Sequence, residues 1–372
     1  MIYIKPLSEY RFNLKAKKLE GLARLVKLGV PTVSNLFIVS PKLYLEFQKT
    51  KKLPFTAIKE LKTVFNSIRK QDERVTLRNS IYEKGNPGLS FSVHNSLNIK
   101  VFSDFQKRVI LGYKRATRMA INPEKVEFCY LMQSFYSSEK CGLLLSDNGQ
   151  GQIFLQAILG QHTTLLLRGD SIPDIYKINK GTYRIAYKKI IPKLFRIKKL
   201  ASGIKKIRVK KSDQRKPVLT DSQAKKIAKL SQIVERAFGP QEMEWAILDS
   251  GKIIFQETRD FEQSKALKFF KKAEVIFPAE TEGEIVNLKT FPKKDSVSKK
   301  IVVTSNLNIA FINKLAFLHR PKAVILTRGS LTSHAATVLR ESKITTILAR
   351  DIAFKDGEKI KIKKDGRIQK KL

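Results

Sequence analysis

The run AVILT (Ala323 to Thr327), RGSLTS, HAATVLRES and ITTILA constrains the fold more than any other part of the chain. Its two short runs of apolar and β-branched residues read as strands, and the stretch between them has helical spacing. A strand, loop, helix and strand in that order makes the strands parallel, with a right-handed crossover. A compact α/β unit is therefore expected, closed by the hairpin EKIKIKKDGRI, which turns at Asp365 and Gly366.

Upstream, the pattern is mixed. Leu19, Leu22, Leu25 and Val26 recur at helical spacing before Gly29 and the strand-like LFIVS. FTAIKELKTVFNSIRK aligns Ile58, Leu61, Phe65 and Ile68 on one face, and ERVTLRNS after it reads as a strand. GLLLSD, QIFLQAIL and HTTLLLRG are further short β runs separated by turn residues. TDSQAKKIAKLSQIVERAFGP has Thr220 and Gln223 in capping-box register, Ile227, Leu230, Val234 and Phe238 inward, and Gly239 and Pro240 as a stop. MEWAIL and KIIFQETR then flank DSG as a hairpin, which brings Glu244 beside the tract Gln256 to Arg259. FEQSKALKFFKKAE reads as a charged helical connector, and FPKKDSVSKK as a spacer between short strands. The fold class is mixed α/β.

A chain of 372 residues exceeds what one core usually organises, and 42% hydrophobic content can fill two or three. Cys129 and Cys141 form no framework and read as packing thiols in a reducing compartment. With no leader-like N-terminus and no apolar run of spanning length, a cytoplasmic protein without membrane contact is expected. The 73 Lys and Arg against 33 Asp and Glu leave +40, a field that attracts nucleic acid, anionic surfaces or nucleotides. The excess runs along the whole chain without arginine-aromatic interleaving, so a solvated lysine surface is favoured and polynucleotide binding is kept as an alternative. The cluster KKLASGIKKIRVKK is read in the same way, as a solvated hairpin.

His334 stands where the β-loop-α unit begins its helix, with Thr332 or Ser333 as N-cap. Free N–H groups and the positive helix end favour a phosphate there. Arg328 adds a cation, and Gly329 permits close backbone approach. A neutral imidazole, with an ordinary pKa of about 6.5, is a competent nucleophile near pH 7. The residues alone leave open a histidine that merely satisfies a hydrogen bond. His94, His162 and His319 have no partners at metal-ligand spacing.

The fifteen-residue run TRGSLTSHAATVLRE resembles the phosphohistidine signature of the phosphoenolpyruvate-utilising enzymes, roughly GGxxSHxAxxARExGIPxV. Gly329, Ser333, His334, Ala336, Arg340, Glu341 and Ile344 match it, while Ser330, Leu339, Thr345 and Thr346 depart from it. The rest of the chain is similar to that family's ATP-grasp-type nucleotide domain. KKLEGLARLVKLGV resembles the GGKxxxLxxL opening with Lys18 as the phosphate-binding lysine, although Ala16 and Lys17 replace its glycines. VTLRNS resembles the VRSSA segment and offers Arg78, and QKRVIL echoes a second arginine segment at Arg108. RGDSIPDIY follows G-x-x-x-P-D-x-Y, and LGQHTT falls where the family has GLGE, without its glutamate. The hairpin resembles DIEWA followed by a strand ending QxR.

The resemblance implies an ATP-grasp-like nucleotide-binding domain of two subdomains over 1–262, a linker over 263–273 and a swivelling phosphohistidine domain over 274–372. It implies ATP bound by Lys18, Arg78, Arg108, Glu242, Glu244 and Arg259. Magnesium would be held by Glu244 with Glu257 or Gln256, because counting back from Arg259 and forward from Glu244 gives different residues. Arg328, Gly329, Thr332, Ser333 and Arg340 would surround the phosphate on His334, the catalytic residue. The implied activity is a dikinase-type phosphotransferase like pyruvate, water dikinase (phosphoenolpyruvate synthase), with the histidine domain swivelling near Phe261 to Ala273. The family's barrel domain for pyruvate or phosphoenolpyruvate has no counterpart in these residues, so an acceptor on another chain, or a small molecule at the domain interface, is expected. A catalytically impaired nucleotide-binding relative is the second reading, suggested by the missing glycines and glutamate.

Overall fold

The computed structural model describes residues 2–9, 17–71, 74–83, 96–161, 173–200, 203–261, 274–289, 297–331, 333–350 and 352–370. The first part of the chain builds an antiparallel sheet from β1 (Ile4–Pro6), β2 (Phe37–Val39), β3 (Val75–Tyr82), β4 (Ser96–Ile99) and β5 (Glu127–Ser134), in the order β1-β2-β5-β3-β4. Among the described residues four helices accompany it: α1 (Lys17–Lys27), α2 (Pro41–Thr50), α3 (Phe55–Gln71) and α4 (Phe102–Met119). Period-two alternation sorts the strands' side chains. Val75, Leu77, Phe128, Tyr130 and Met132 pack with Tyr44, Phe65, Val109 and Tyr113 of α2, α3 and α4. Cys129 and Leu131 turn the other way and join Leu19, Leu22 and Leu25 of α1.

A second antiparallel sheet follows. β6 (Ser138–Leu145), β7 (Gln152–Leu159), β8 (Asp174–Asn179) and β9 (Ile185–Lys189) lead to a separate ribbon, β10 (Phe195–Leu200) with β11 (Gly203–Arg208). After α5 (Asp221–Phe238), β12 (Gln241–Leu248) and β13 (Ile253–Asp260) return to complete the order β13-β12-β6-β7-β8-β9. The expected capping box on α5 is present, with Thr220 Oγ accepting from Gln223 N at 3.2 Å and Gln223 Oε1 accepting from Thr220 N at 3.1 Å. Ile227 and Val234 of α5 share a core with α1 and with Met243, Trp245 and Phe255 of the sheet.

Residues 274 onward form a third sheet, β14 (Glu274–Phe277), β15 (Thr281–Asn287), β16 (Ile301–Thr304), β17 (Ala323–Leu326), β18 (Thr345–Leu348), β19 (Lys359–Ile362) and β20 (Ile368–Lys370), in the order β14-β18-β17-β16-β15-β19-β20. The helices are α6 (Ile309–Lys314) and α7 (His334–Glu341). β15 to β18 pair in parallel, as the β-loop-α-β pattern requires. Clusters on the two faces, one around Val324, Ala335 and Leu339 and one around Ile301, Ile325 and Ile360, are distinct from the upstream cores.

The mixed α/β class expected from the sequence is therefore what the chain forms. HTTLLLRG, most of the connector FEQSKALKFFKKAE, most of FPKKDSVSKK, His94 and His162 lie outside the described residues. Both cysteines are buried free thiols, pushed up by burial. No described helix is long and apolar enough to cross a membrane.

Gly21 fixes how closely α1 sits on β13, because a Cβ there would lie 1.8 Å from the Thr258 carbonyl oxygen, a backbone atom that cannot swing aside. Gly21→Ala should cost about 1–3 kcal/mol through overpacking. Denaturant unfolding checks this, and an unchanged midpoint would show that the helix does not seat there.

Candidate active site

His334 is the first residue of α7, and Ser333 is its N-cap, with Oγ accepting from Ala336 N at 3.2 Å. Thr332, the other candidate for the cap, lies outside the described residues. Gly329 takes φ +103°, and a Cβ there would come 3.0 Å from Leu307, so the loop before the histidine requires glycine. Arg350, which carries no sequence signal, holds this loop by donating to the Gly329 carbonyl at 2.8 Å and pairing with Glu274 at 3.0 Å. Arg328, expected beside the phosphate, is instead exposed, because the loop turns it outward after β17.

The chemistry opposite His334 comes from β12 and β13. Glu242 pairs across the ladder with Arg259, and Glu244 with Glu257, whereas Trp245 pairs with Phe255. Gln256 is thus an unopposed extra residue, a β-bulge. The extra residue explains why the two counts along β13 disagreed. Glu257 carries the ionic contacts, with Oε2 at 3.2 Å from Lys18 Nζ and 3.0 Å from Arg78 Nη2. Gln256, the alternative metal residue, gives its backbone carbonyl to Arg78 at 3.2 Å. Burial would raise the Glu257 carboxyl, but Lys18, Arg78 and Arg259 outweigh it and hold it at about 2. Glu244 is raised, first by burial and then by Glu257 beside it.

Glu242 behaves differently from the expected nucleotide ligand. It is only 2% exposed, and its two oxygens accept from Arg259 and, at 2.6 Å, from Arg340 Nη2. Arg340, expected around the phosphate, also donates to the Leu331 carbonyl at 3.3 Å and lies 5.2 Å from the centre of the Phe261 ring. Arg259 further donates to Thr337 Oγ at 3.4 Å. A clasp of Glu242, Arg259, Arg340 and Thr337 therefore ties the β12–β13 hairpin to α7. The sequence reading missed Thr337, although a polar residue one turn after His334 shares its helix face.

Arg108 is not brought to this cluster. It is exposed on α4, which covers the face of the first sheet that carries Leu77, while Arg78 projects from the opposite face. Of the LGQHTT segment, Leu159, Gly160 and Gln161 are described, and the rest lies outside. Among the described residues no three His, Cys, Asp or Glu side chains group as a metal site.

His334 feels this whole assembly. Burial lowers its pKa first, Arg259 and Lys18 lower it further, Glu257 and Glu242 oppose them, and the result is about 4. The imidazole is neutral at pH 7. An unfolded histidine titrates near 6.5, so between about pH 6.5 and 4 the unfolded chain binds the proton that the folded one refuses. The wild type should lose stability relative to His334→Gln as pH falls through that window, and the difference should level off below it. Denaturant titrations at stepped pH measure this, and parallel curves would mean a solvated histidine.

Two family models match the chain: "Pyruvate phosphate dikinase, AMP/ATP-binding domain" over residues 25–275 and "PEP-utilising enzyme, mobile domain" over residues 297–366. A probable phosphoenolpyruvate synthase of Pyrococcus abyssi is 27% identical over 350 residues, covering 83% of this chain and 42% of that protein. The phosphoenolpyruvate synthase of Pyrococcus furiosus is 26% identical over 348 residues, covering 82% and 42%. A probable phosphoenolpyruvate synthase of Archaeoglobus fulgidus is 26% identical over 276 residues, covering 67% and 36%. This chain thus spans about two fifths of the length of these relatives. Because the first model alone accounts for most of its residues, the chain belongs to the pyruvate phosphate dikinase family.

Proposed function

We propose that this chain moves phosphate from ATP to His334 and on to an acceptor bound elsewhere, as a dikinase-type phosphotransferase. The observation that carries this reading is that Arg259 of the hairpin donates to Thr337, one turn after His334 on α7, while Lys18 of α1 and Arg78 of β3 meet Glu257 two residues before that arginine. A nucleophile and the cations suited to its donor occupy one place. On this reading residues 1–262 are an ATP-grasp-like domain, 263–273 the connector and 274–372 the carrier domain.

The roles follow from the charges. Lys18, Arg78 and Arg259 neutralise the transferring group, whose transition state spreads charge over its equatorial oxygens. The opposed carboxylates Glu244 and Glu257 would hold a magnesium ion, which would supply Lewis-acid polarisation of the transferring group. His334 attacks through a lone pair already free of its proton, so no separate base is required. Arg340 and Thr337 position α7 by holding Glu242 and Arg259. Relatives named phosphoenolpyruvate synthase make pyruvate the first acceptor to test, with phosphoenolpyruvate as the product.

Incubation with β- and γ-labelled ATP and magnesium should give an acid-labile, base-stable phosphoprotein that is lost in His334→Ala. Arg259→Met should retain ATP binding and slow labelling by roughly 10²–10³, the usual effect of removing one charge-stabilising donor. ATP binding without label in the wild type would overturn the enzymatic reading in favour of a nucleotide-binding relative.

A further inference from the structure

The ribbon β10–β11 takes no part in the site around His334. It is anchored to the end of the second sheet, where Gly160 bridges Ile197 and Gln161 N donates to the Ile197 carbonyl at 2.8 Å. Phe154 marks the level of Glu242 across β6, and Gly160 lies six residues further along β7, roughly 20 Å at about 3.3 Å per residue. The base of the ribbon is rigid. Lys193 is buried there, 2.8 Å from Asp174 and donating to the Lys216 carbonyl at 2.7 Å, while the Asp174 carboxylate also accepts from Ile191 N and Val218 N.

Residues 184–216 hold fourteen Lys and Arg against Asp213 alone, so close to a third of the chain's +40 lies in less than a tenth of its length. Among the described residues no carboxylate pairs with Arg196, Lys198, Lys205, Lys206 or Arg208. The ladder makes this worse, because Lys198 stands directly opposite Lys205, and like charges so placed are destabilising. A polyanion would relieve that repulsion. The fold also creates the cation-aromatic interleaving that is missing along the sequence. Phe195, 47% exposed, carries Lys206 at 4.5 Å from its ring centre, across the ribbon from the opposite strand.

We propose that the ribbon is a binding surface for single-stranded polynucleotide, with the lysines following the phosphates and Phe195 offering a ring for a base. Cross-strand pairs place Arg196, Lys198 and Lys205 on one face and Lys206 and Arg208 on the other. A flexible strand reaches both faces, whereas a flat anionic membrane meets one at a time. An exposed aromatic among the cations suits a base better than a carboxylate side chain, which separates polynucleotide from an acidic peptide.

The test is fluorescence anisotropy of the full chain with a labelled single-stranded RNA of about 20 nucleotides, titrated at several salt concentrations. Because each phosphate contact contributes about 0.7 to the log–log salt slope, the triple variant Lys198→Gln, Lys205→Gln, Lys206→Gln should bind at least about tenfold more weakly, with a slope lower by about two. The matched variant Lys49→Gln, Lys62→Gln, Lys70→Gln, altered at exposed lysines elsewhere, should bind like the wild type, and Phe195→Ala should lose affinity with its slope unchanged. No binding by the wild type at low salt, or equal weakening in the matched variant, would overturn the proposal. Displacement of the RNA by polyglutamate of equal charge, or stronger binding to anionic vesicles, would overturn it in favour of an acidic protein or a membrane.

Discussion

A carboxylate taken out of water is stable only when both of its oxygens are satisfied, and much of the arrangement around His334 hangs on how Glu242 meets that demand. One oxygen takes a guanidinium from its neighbour on the hairpin, the other a guanidinium from α7, 98 residues away in sequence. Removing either arginine would leave a buried charge half-compensated, so the hairpin and the carrier helix are held by the same atom group. The contact that joins them is polar, charged and small. Such a joint is strong while dry and weakens when water or another anion competes for the arginines.

The charges beside this joint are graded. Glu257 is ionised far below neutrality by three cations, whereas Glu244, across the same ladder, is raised by burial and by Glu257 itself. His334 is pushed towards its neutral form by burial first and then by Arg259 and Lys18, two of the cations that hold Glu257 ionised.

Local patterns were legible from the residues. The parallel β-loop-α-β unit, the capping box at Thr220 and the hairpin around DSG all depend on neighbours within a few positions, and all are present. What was not legible depends on distant pairings or on a count of residues. The pairing of Glu242 with Arg340 was not legible, because nothing near Glu242 in sequence announces an arginine 98 residues away. Arg108 read as a phosphate contact from a short echo, but its helix lies on the far face of the sheet. The seat of Lys206 over the Phe195 ring was not legible either, because that cation comes from the other strand.

The bulge at Gln256 has a consequence for how this site tolerates change in chain length. Had the ladder stayed in step beyond Trp245, Gln256 would face Glu244, Glu257 would oppose Met243, and Arg259 would oppose Gln241. Both charged side chains would then point into the apolar layer that holds Met243, Trp245 and Phe255. The kink in the backbone absorbs one surplus residue and keeps them on the face that carries Glu242 and Glu244. Which face of the sheet carries the chemistry is therefore decided by where one unpaired residue is parked.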